Sequence, residues 1–217
     1  MLASRIDHLV ITAPTLAQGV QYLSQALGVS PQAGGVHPRM GTHNCVLRLG
    51  PDLYAEVIAT DPDAAAPGRP RWFQLDDAGW NDRPQLATWV ARSSDIRAAQ
   101  ASAGIPNGEI HAMTRGELEW LITITEDGGL TMQGAMPAFI QWSASQHPAA
   151  SMQDMGCSLI GLESHHPEAS AIDDMLHRIG FEGSFSAHAV PAGTQPYLIA
   201  HIQTPDGPRQ LGNIDGR

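Results

Sequence analysis

The segment IDHLVITAPTLAQGVQYLSQALG, residues 6–28, combines the pattern of a β-strand with that of an amphipathic α-helix. Its first part is apolar and β-branched and stops at Pro14, as a strand followed by a turn would. Thr15 and Gln18 match a helix-capping pair, and apolar residues then recur every third or fourth position. Gly28 can adopt the left-handed conformation that ends a helix. The segment therefore predicts a strand followed directly by a helix.

Two later segments repeat this strand–helix–glycine pattern. The three helix-closing glycines, Gly28, Gly104 and Gly180, stand at equal intervals along the chain. Strand-like pieces separated by turn residues follow each helix, so the pattern predicts an α+β protein built from repeated β-α-β-β-β modules. The predicted parts are module 1 (1–60), an aromatic linker (61–85), module 2 (86–150) and a related module 3 (157–217).

The linker is rich in Pro, Gly, Asp and Ala, but it also contains Trp72, Phe73 and Trp80. Aromatic side chains of this size are seldom left in a solvated tether, because each has ~150–250 Å² of surface to bury. We therefore expect the linker to close over a cleft or over the seam between modules. A lid that contacts substrate through Trp72 and a purely structural strap are both open hypotheses.

Composition excludes several function classes. The 217 residues include 22 acidic and 12 basic ones, and the net charge of −10 disfavours nucleic-acid and anionic-membrane partners. Every basic residue is an arginine, which excludes Schiff-base lysines and lysine-bearing phosphate loops. No dinucleotide-binding motif is present, and Cys45 and Cys157 form no disulfide framework. We expect a cytoplasmic protein with a small-molecule ligand, no nucleotide cofactor and no membrane partner; a homodimer is an open expectation.

Three polar residues in strand-like segments are candidate site residues. His8 lies in the alternating segment IDHLVIT, and Glu56 interrupts the apolar segment LYAEVIA. A carboxylate buried in such a strand costs several kcal/mol unless it has a cation, a hydrogen-bond donor or water beside it. Strand alternation predicts that His8 and Glu56 face one cavity. Gln141, in FIQWSAS, follows the same logic without a charge.

The segment GGVHPRMGTHN, residues 34–44, is predicted to be a sharply turning loop because it holds three glycines and a proline. Its polar residues His37, Arg39, His43 and Asn44 are candidates for substrate binding, with Arg39 suited to gripping a carboxylate. A surface loop whose polar residues meet only water is the alternative.

These segments together resemble one protein superfamily. The residues IDHLVITAPTLAQGVQYL, GGVHPRMGTHN and LYAEVIATDP resemble the glyoxalase-like branch of the vicinal oxygen chelate superfamily. The resemblance implies that two modules form a U-shaped barrel around a cleft. It also implies a divalent metal ion held by His8, Glu56 and Gln141. The fourth ligand position falls on Thr88, which is a poor ligand for such an ion.

Two function classes follow from the resemblance. In the first, the chain is a metal-dependent enzyme with lyase-, isomerase- or dioxygenase-type chemistry on a substrate with two vicinal oxygens, and Glu56 moves a proton as its catalytic residue. In the second, the chain is a metal-free protein that binds or sequesters a small ligand in the same cleft.

Overall fold

The computed structural model describes residues 2–143 and 147–212, in which the order β-α-β-β-β occurs three times. The first module contains β1 (Ser4–Thr12), α1 (Leu16–Leu27), β2 (Gln32–His37), β3 (Thr42–Gly50) and β4 (Leu53–Thr60). The second contains β5 (Gln85–Ser93), α2 (Ile96–Ala103), β6 (Glu109–Arg115), β7 (Leu118–Ile124) and β8 (Ala138–Trp142). The third contains β9 (Ser158–His166), α3 (Ala169–Arg178), β10 (Phe185–Ala189), β11 (Tyr197–Thr204) and β12 (Gly207–Gly212). The α+β fold of two paired modules and a third related one is confirmed.

The first two modules share one strongly curled, eight-stranded sheet with the strand order β2-β3-β4-β1-β5-β8-β7-β6. The curl brings the two edge strands together. Just after β2, the Arg39 guanidinium donates a 2.7 Å hydrogen bond to the Ala112 carbonyl of β6. At the end of β6, Arg115 donates to His37 Nε2 of β2 across 3.3 Å. The sheet therefore encloses the cleft that the U-shaped barrel predicts.

Side chains alternate between the two faces of this sheet, as strand geometry requires. On the outer face, Leu9 and Ile11 of β1 pack in one core with the three helices and the third module. The third module has a sheet of its own, with the strand order β10-β9-β11-β12. On the cleft face, Val10 and Val90 at the centre of the sheet pack against linker aromatics. Within the described residues, none of the helices has the length and apolar character needed to span a bilayer.

Two aromatic residues of the linker lie in the cleft. Trp72 and Phe73 are buried with their rings stacked at 5.5 Å. The backbone N–H of Gln74 donates a 2.8 Å hydrogen bond to the carbonyl of Gly128. Gly128 has φ of 72°, and a Cβ there would lie 2.0 Å from the Arg71 carbonyl oxygen. Only glycine permits this close approach between the linker and the turn that follows β7.

The segment at residues 34–44 is mostly strand, and the prediction of a loop there is wrong. β2 and β3 pair as antiparallel strands, and only residues 38–41 form the turn between them. A Cβ on Gly34 would lie 2.0 Å from Asn44 Oδ1, so the glycine leaves the space that the Asn44 side chain occupies. Gly34 therefore admits a neighbouring side chain, and Gly41, with φ of 59°, is the glycine that belongs to the turn.

Candidate functional site

A small cavity opens on the cleft face beside the first module. Its polar lining comes from four strands of the sheet, and its apolar lining comes from the linker and from β7 and β8. The polar residues are His8, His37, Tyr54, Glu56 and Arg115. The rings of Trp72, Phe73, Trp120 and Trp142 supply most of the apolar wall. The cavity is small, about 20 Å³, and its combination of aromatic walls with convergent polar groups is typical of small-ligand sites.

His8 and Glu56 lie together in this cavity. β1 and β4 run parallel as neighbours, and the alternation of both strands turns these side chains to the cleft face. His8 Nε2 lies 3.5 Å from Glu56 Oε2, and the two residues are only 3% and 5% exposed. The ring of Tyr54 stacks on His8 at 4.6 Å and fixes its plane. His8 Nε2 and Glu56 Oε2 are therefore close enough to contact the same small ligand or water molecule.

Asp7 holds the other side of the His8 ring. His8 Nδ1–H donates to Asp7 Oδ1 at 2.7 Å, and the fully buried carboxylate also accepts from His147 Nε2 at 3.0 Å and Trp142 Nε1 at 2.9 Å. Burial alone would raise the pKa of Asp7. The hydrogen bonds from His147 and His8 outweigh burial and keep the pKa of Asp7 below its usual range. A buried carboxylate anion therefore orients His8 and leaves Nε2 facing the cavity.

Asp7 was not predicted from the sequence, and a β-bulge explains why. The pairing of β1 with β5 shifts register between Ile6 and His8, so Asp7 is the extra residue of the bulge. Strict alternation would turn Asp7 away from the face of His8, whereas a bulge re-aims a side chain. A usable signal was present, since Asp7 is a carboxylate inside an apolar strand like Glu56. His147 and Arg115 carry no such local signal.

Asn44 fixes the orientation of Glu56. The Asn44 Nδ2 amide donates to Glu56 Oε1, which leaves Oε2 facing His8 and the cavity. Asn44 Oδ1 in turn accepts from the backbone N–H of Gly35 at 2.7 Å and lies 3.4 Å from Arg115 Nη1. The carboxylate of Glu56 is thus positioned through one oxygen and available for chemistry at the other.

Arg115 brings a positive charge to the cavity from the far edge of the sheet. Its guanidinium donates to His37 Nε2, and His37 Nδ1–H donates to Thr42 Oγ1 at 3.1 Å. Burial lowers the pKa of His37 to about 4, against a raising effect of Glu56. His37 is therefore neutral at pH 7, and Arg115 carries the positive charge at this end of the cavity.

Three predicted site residues lie elsewhere. Arg39 is exposed and binds a backbone carbonyl of β6. His43 directly precedes Asn44 in β3, so alternation turns it to the opposite face. Gln141 Oε1 accepts the backbone amide of Ile96 at 2.9 Å, at the start of α2. Both neighbours of Gln141 in β8 line the cavity, which turns Gln141 itself away from it. The geometry therefore places Arg39, His43 and Gln141 outside the site.

The residues around the cavity do not fit a chelated divalent ion. β1 and β5 pair as His8–Val90 and Val10–Thr88, a register with local two-fold symmetry. Val10 stands beside Glu56 in β4, and Val90 stands beside Ala138 in β8. Thr88 and Ala138 are thus the second-half counterparts of His8 and Glu56.

Neither counterpart offers a good metal donor. Ala138 has none, and the Thr88 hydroxyl donates a 2.9 Å hydrogen bond to the Gly134 carbonyl. Over residues 2–143 and 147–212, the one group of three His, Cys, Asp or Glu ligand atoms close enough for a metal lies in the third module. The family-implied ligand set is therefore reduced to His8 and Glu56, which is too few for a stable site.

Comparison with known proteins places the chain in a family. A family profile described as "Glyoxalase-like domain" matches residues 6–180. The chain belongs to the glyoxalase-like domain family. This glyoxalase-like protein is accordingly a member of the vicinal oxygen chelate superfamily. No curated protein matches it significantly.

Three solved structures are similar to this glyoxalase-like protein at low sequence identity. A hypothetical protein from Staphylococcus aureus has 12% identity over 86% of each chain, with a TM-score of 0.60. A 4-hydroxymandelate synthase mutant from Streptomyces coelicolor has 15% identity over 97% of this chain and 63% of its own, with a TM-score of 0.46. A methylmalonyl-CoA epimerase variant from Streptomyces coelicolor has 16% identity over 66% of this chain and 98% of its own, with a TM-score of 0.43.

Proposed function

We propose that the cavity binds a small carboxylate with a second oxygen on the neighbouring carbon, and that Glu56 moves a proton on this ligand without a metal. The observation that carries the proposal is the buried series Asp7–His8–Glu56, which ends at the cavity. A fixed anion behind a histidine and a second carboxylate in front of it is an arrangement suited to general acid–base chemistry.

Arg115 and Tyr54 are the two groups of the cavity suited to binding the oxygens of an anionic ligand. The Arg115 guanidinium can bind a carboxylate through two parallel hydrogen bonds. Burial raises the pKa of Tyr54 well above its ordinary value, and the nearby carboxylates of Asp7 and Glu56 raise it further. The Tyr54 phenol therefore keeps its proton at neutral pH and can donate it in a hydrogen bond to a ligand oxygen.

The proposed step is a proton abstraction next to a carbonyl group. Glu56 Oε2 takes the proton as the C–H bond breaks, and the electron pair moves onto the carbonyl oxygen of the ligand as an enolate. Hydrogen-bond donors from Tyr54 and Arg115 stabilise the new negative charge. His8, positioned by Asp7, lies beside Oε2 and holds or releases the transferred proton. Return of the proton to the ligand completes an isomerisation or an exchange.

The test is hydrogen exchange in D2O followed by NMR. A panel of 2-oxo carboxylates with aromatic or branched side groups is first screened for binding by ligand-observed NMR, and bound members are followed for loss of their C–H signals. Glu56→Gln is expected to slow exchange by about 10²–10⁴-fold while binding changes little. Glu119→Gln, at an exposed strand glutamate, is the control and should exchange like the parent protein. Equal exchange rates in Glu56→Gln and the parent would contradict the proposal.

A metal-free binding function is the second candidate, and the aromatic wall formed by Trp72, Trp120 and Trp142 favours it. Stacked rings bind flat ligands without any proton transfer. Ligands that bind but show no exchange in the parent protein would support this candidate. Exchange that disappears after chelator treatment and returns with added metal would contradict both metal-free functions.

A further inference from the structure

The third module carries three histidines and a glutamate on one face of its sheet, far along the chain from the cleft residues. Glu163 and His165 are two residues apart in β9, so they share a face. His188 of β10 stands directly beside His165 in the parallel pairing. In β11, Ile199 pairs with Glu163, which places His201, two residues further on, on the same face.

These side chains converge on the Glu163 carboxylate. Glu163 Oε2 lies 3.1 Å from His165 Nε2, and Oε1 lies 2.8 Å from His201 Nε2. Ligand atoms of Glu163, His165 and His188 all lie within 4.8 Å of one another. Ligands around a tetrahedral zinc ion stand ~3.3–3.5 Å apart, given bonds of ~2.0–2.2 Å. Small rotations of the exposed His188 side chain would bring its ligand atom from within 4.8 Å to this shorter separation.

We propose that Glu163, His165 and His188 bind a divalent transition-metal ion of the zinc class, with His201 as an outer ligand that orients Glu163. Two imidazoles and one carboxylate match the donor preference of Zn²⁺ and Co²⁺. Three protein donors leave a coordination position for water or a ligand oxygen, since the site is open to solvent at His188.

Neighbouring residues hold the donors in place before any ion binds. The ring of Tyr197 stacks on His165 at 4.4 Å, with an angle of 6° between the planes. Gln210 Nε2 donates to His201 Nδ1 at 3.3 Å, so His201 carries its proton on Nε2 and donates it to Glu163. A histidine that donates to a ligating carboxylate is a common outer-shell feature of metal sites.

The alternative is a set of surface ion pairs without an ion. Hydrogen bonds from His165 and His201 lower the pKa of Glu163, which either hypothesis accommodates. Partly exposed pairs of this kind contribute ~0–1 kcal/mol to the free energy of unfolding. They do not require a third imidazole beside the same carboxylate. The convergence of His188 on the Glu163–His165 pair is what favours metal binding.

The test is titration of the tag-free protein with Co²⁺, followed by visible absorption, and with Zn²⁺, followed by calorimetry. One equivalent is expected to bind. Glu163→Gln and His188→Ala should each weaken binding by at least ~10-fold, and His201→Gln by ~10–100-fold as an outer-ligand change. The control His177→Ala removes an exposed histidine of α3 in the same module and should bind like the parent protein.

The outcomes separate this site from the cleft. His8→Gln should leave the stoichiometry and affinity unchanged if the ion binds to the third module. The proposal is overturned if the parent protein binds no Co²⁺ or Zn²⁺, or if Glu163→Gln and His188→Ala bind them with unchanged affinity. Circular dichroism at each step checks that the variants remain folded, which is expected because His188 is exposed and Glu163 is partly so.

Discussion

Replacement of Asp7 by asparagine tests the central feature of the cleft. The Asp7 carboxylate is fully buried and accepts hydrogen bonds from His8, His147 and Trp142. Removing one charged partner from a buried network costs roughly 3–5 kcal/mol. Asparagine keeps one acceptor oxygen, so we expect a loss near the lower end, about 3 kcal/mol at pH 7. At 2–4 °C per kcal/mol for a chain of this length, the Tm should fall by about 6–12 °C.

The loss of stability in Asp7→Asn should depend on pH in a defined direction. The folded-state pKa of Asp7 lies below its unfolded-state value of ~4, so the folded protein binds fewer protons there. The stabilisation from ionised Asp7 is fully present above pH ~4 and disappears as the pH falls through the folded-state pKa. The difference in the free energy of unfolding between the parent protein and Asp7→Asn should therefore be largest at pH 7 and shrink below pH ~4.

Urea unfolding at pH 7 and at pH 3, followed by circular dichroism, measures both quantities. The control is Asp52→Asn, because Asp52 is a partly exposed carboxylate that pairs with Arg92 at 2.6 Å and should contribute no more than ~1 kcal/mol. Trp142→Phe, which removes a single donor to Asp7, should cost ~1 kcal/mol and remains informative if Asp7→Asn does not fold. A loss below ~1 kcal/mol in Asp7→Asn, with no change between pH 7 and pH 3, would refute the reasoning.

Three further substitutions test the packing around the cleft. Gly128→Ala should cost at least ~1–2 kcal/mol in urea unfolding, because its Cβ would meet the Arg71 carbonyl, whereas Gly116→Ala has a similar φ and open space and should cost less. Trp72→Ala should lower stability by roughly 3–5 kcal/mol. If the linker also acts as a lid, Trp72→Ala should bind the ligand more weakly as well. Gln141→Ala should cost ~1 kcal/mol by removing the bond to the first amide of α2, and it should leave the Co²⁺ stoichiometry unchanged.

The fold was predictable where local patterns carry it. The helix-closing glycines Gly28 and Gly104 both adopt left-handed φ values, of 72° and 76°, at the ends of α1 and α2. Alternation within β1 and β4 also sufficed to bring His8 and Glu56 to one face. These features depend on neighbours within a few residues, so the sequence pattern contains the necessary information.

The remaining site residues depend on contacts that no local pattern encodes. Arg115 belongs to β6 and reaches His37 of β2 only because the eight-stranded sheet curls until its edges meet. His147 contacts Asp7 from the segment that follows β8, 140 residues further along the chain. The resemblance placed Gln141 at the ligand position, but the parallel register of β5 with β8 places Ala138 there. A shift of a single residue along a strand reverses its face, so strand-end alignment alone could not decide this position.

The two halves of the barrel have diverged into different tasks. His8 and Glu56 in the first half face a cavity, whereas their counterparts Thr88 and Ala138 serve packing and backbone hydrogen bonding in the second. The linker rings pack at the centre of the sheet between the halves, in one cluster with Val10 and Val90. The pair His8 and Glu56 therefore comes from one half alone, whereas Arg115 and Trp142 reach the cavity from the other half. In the proposed reaction, His8 and Glu56 of the first half move the proton, and Arg115 of the second half binds the carboxylate of the ligand.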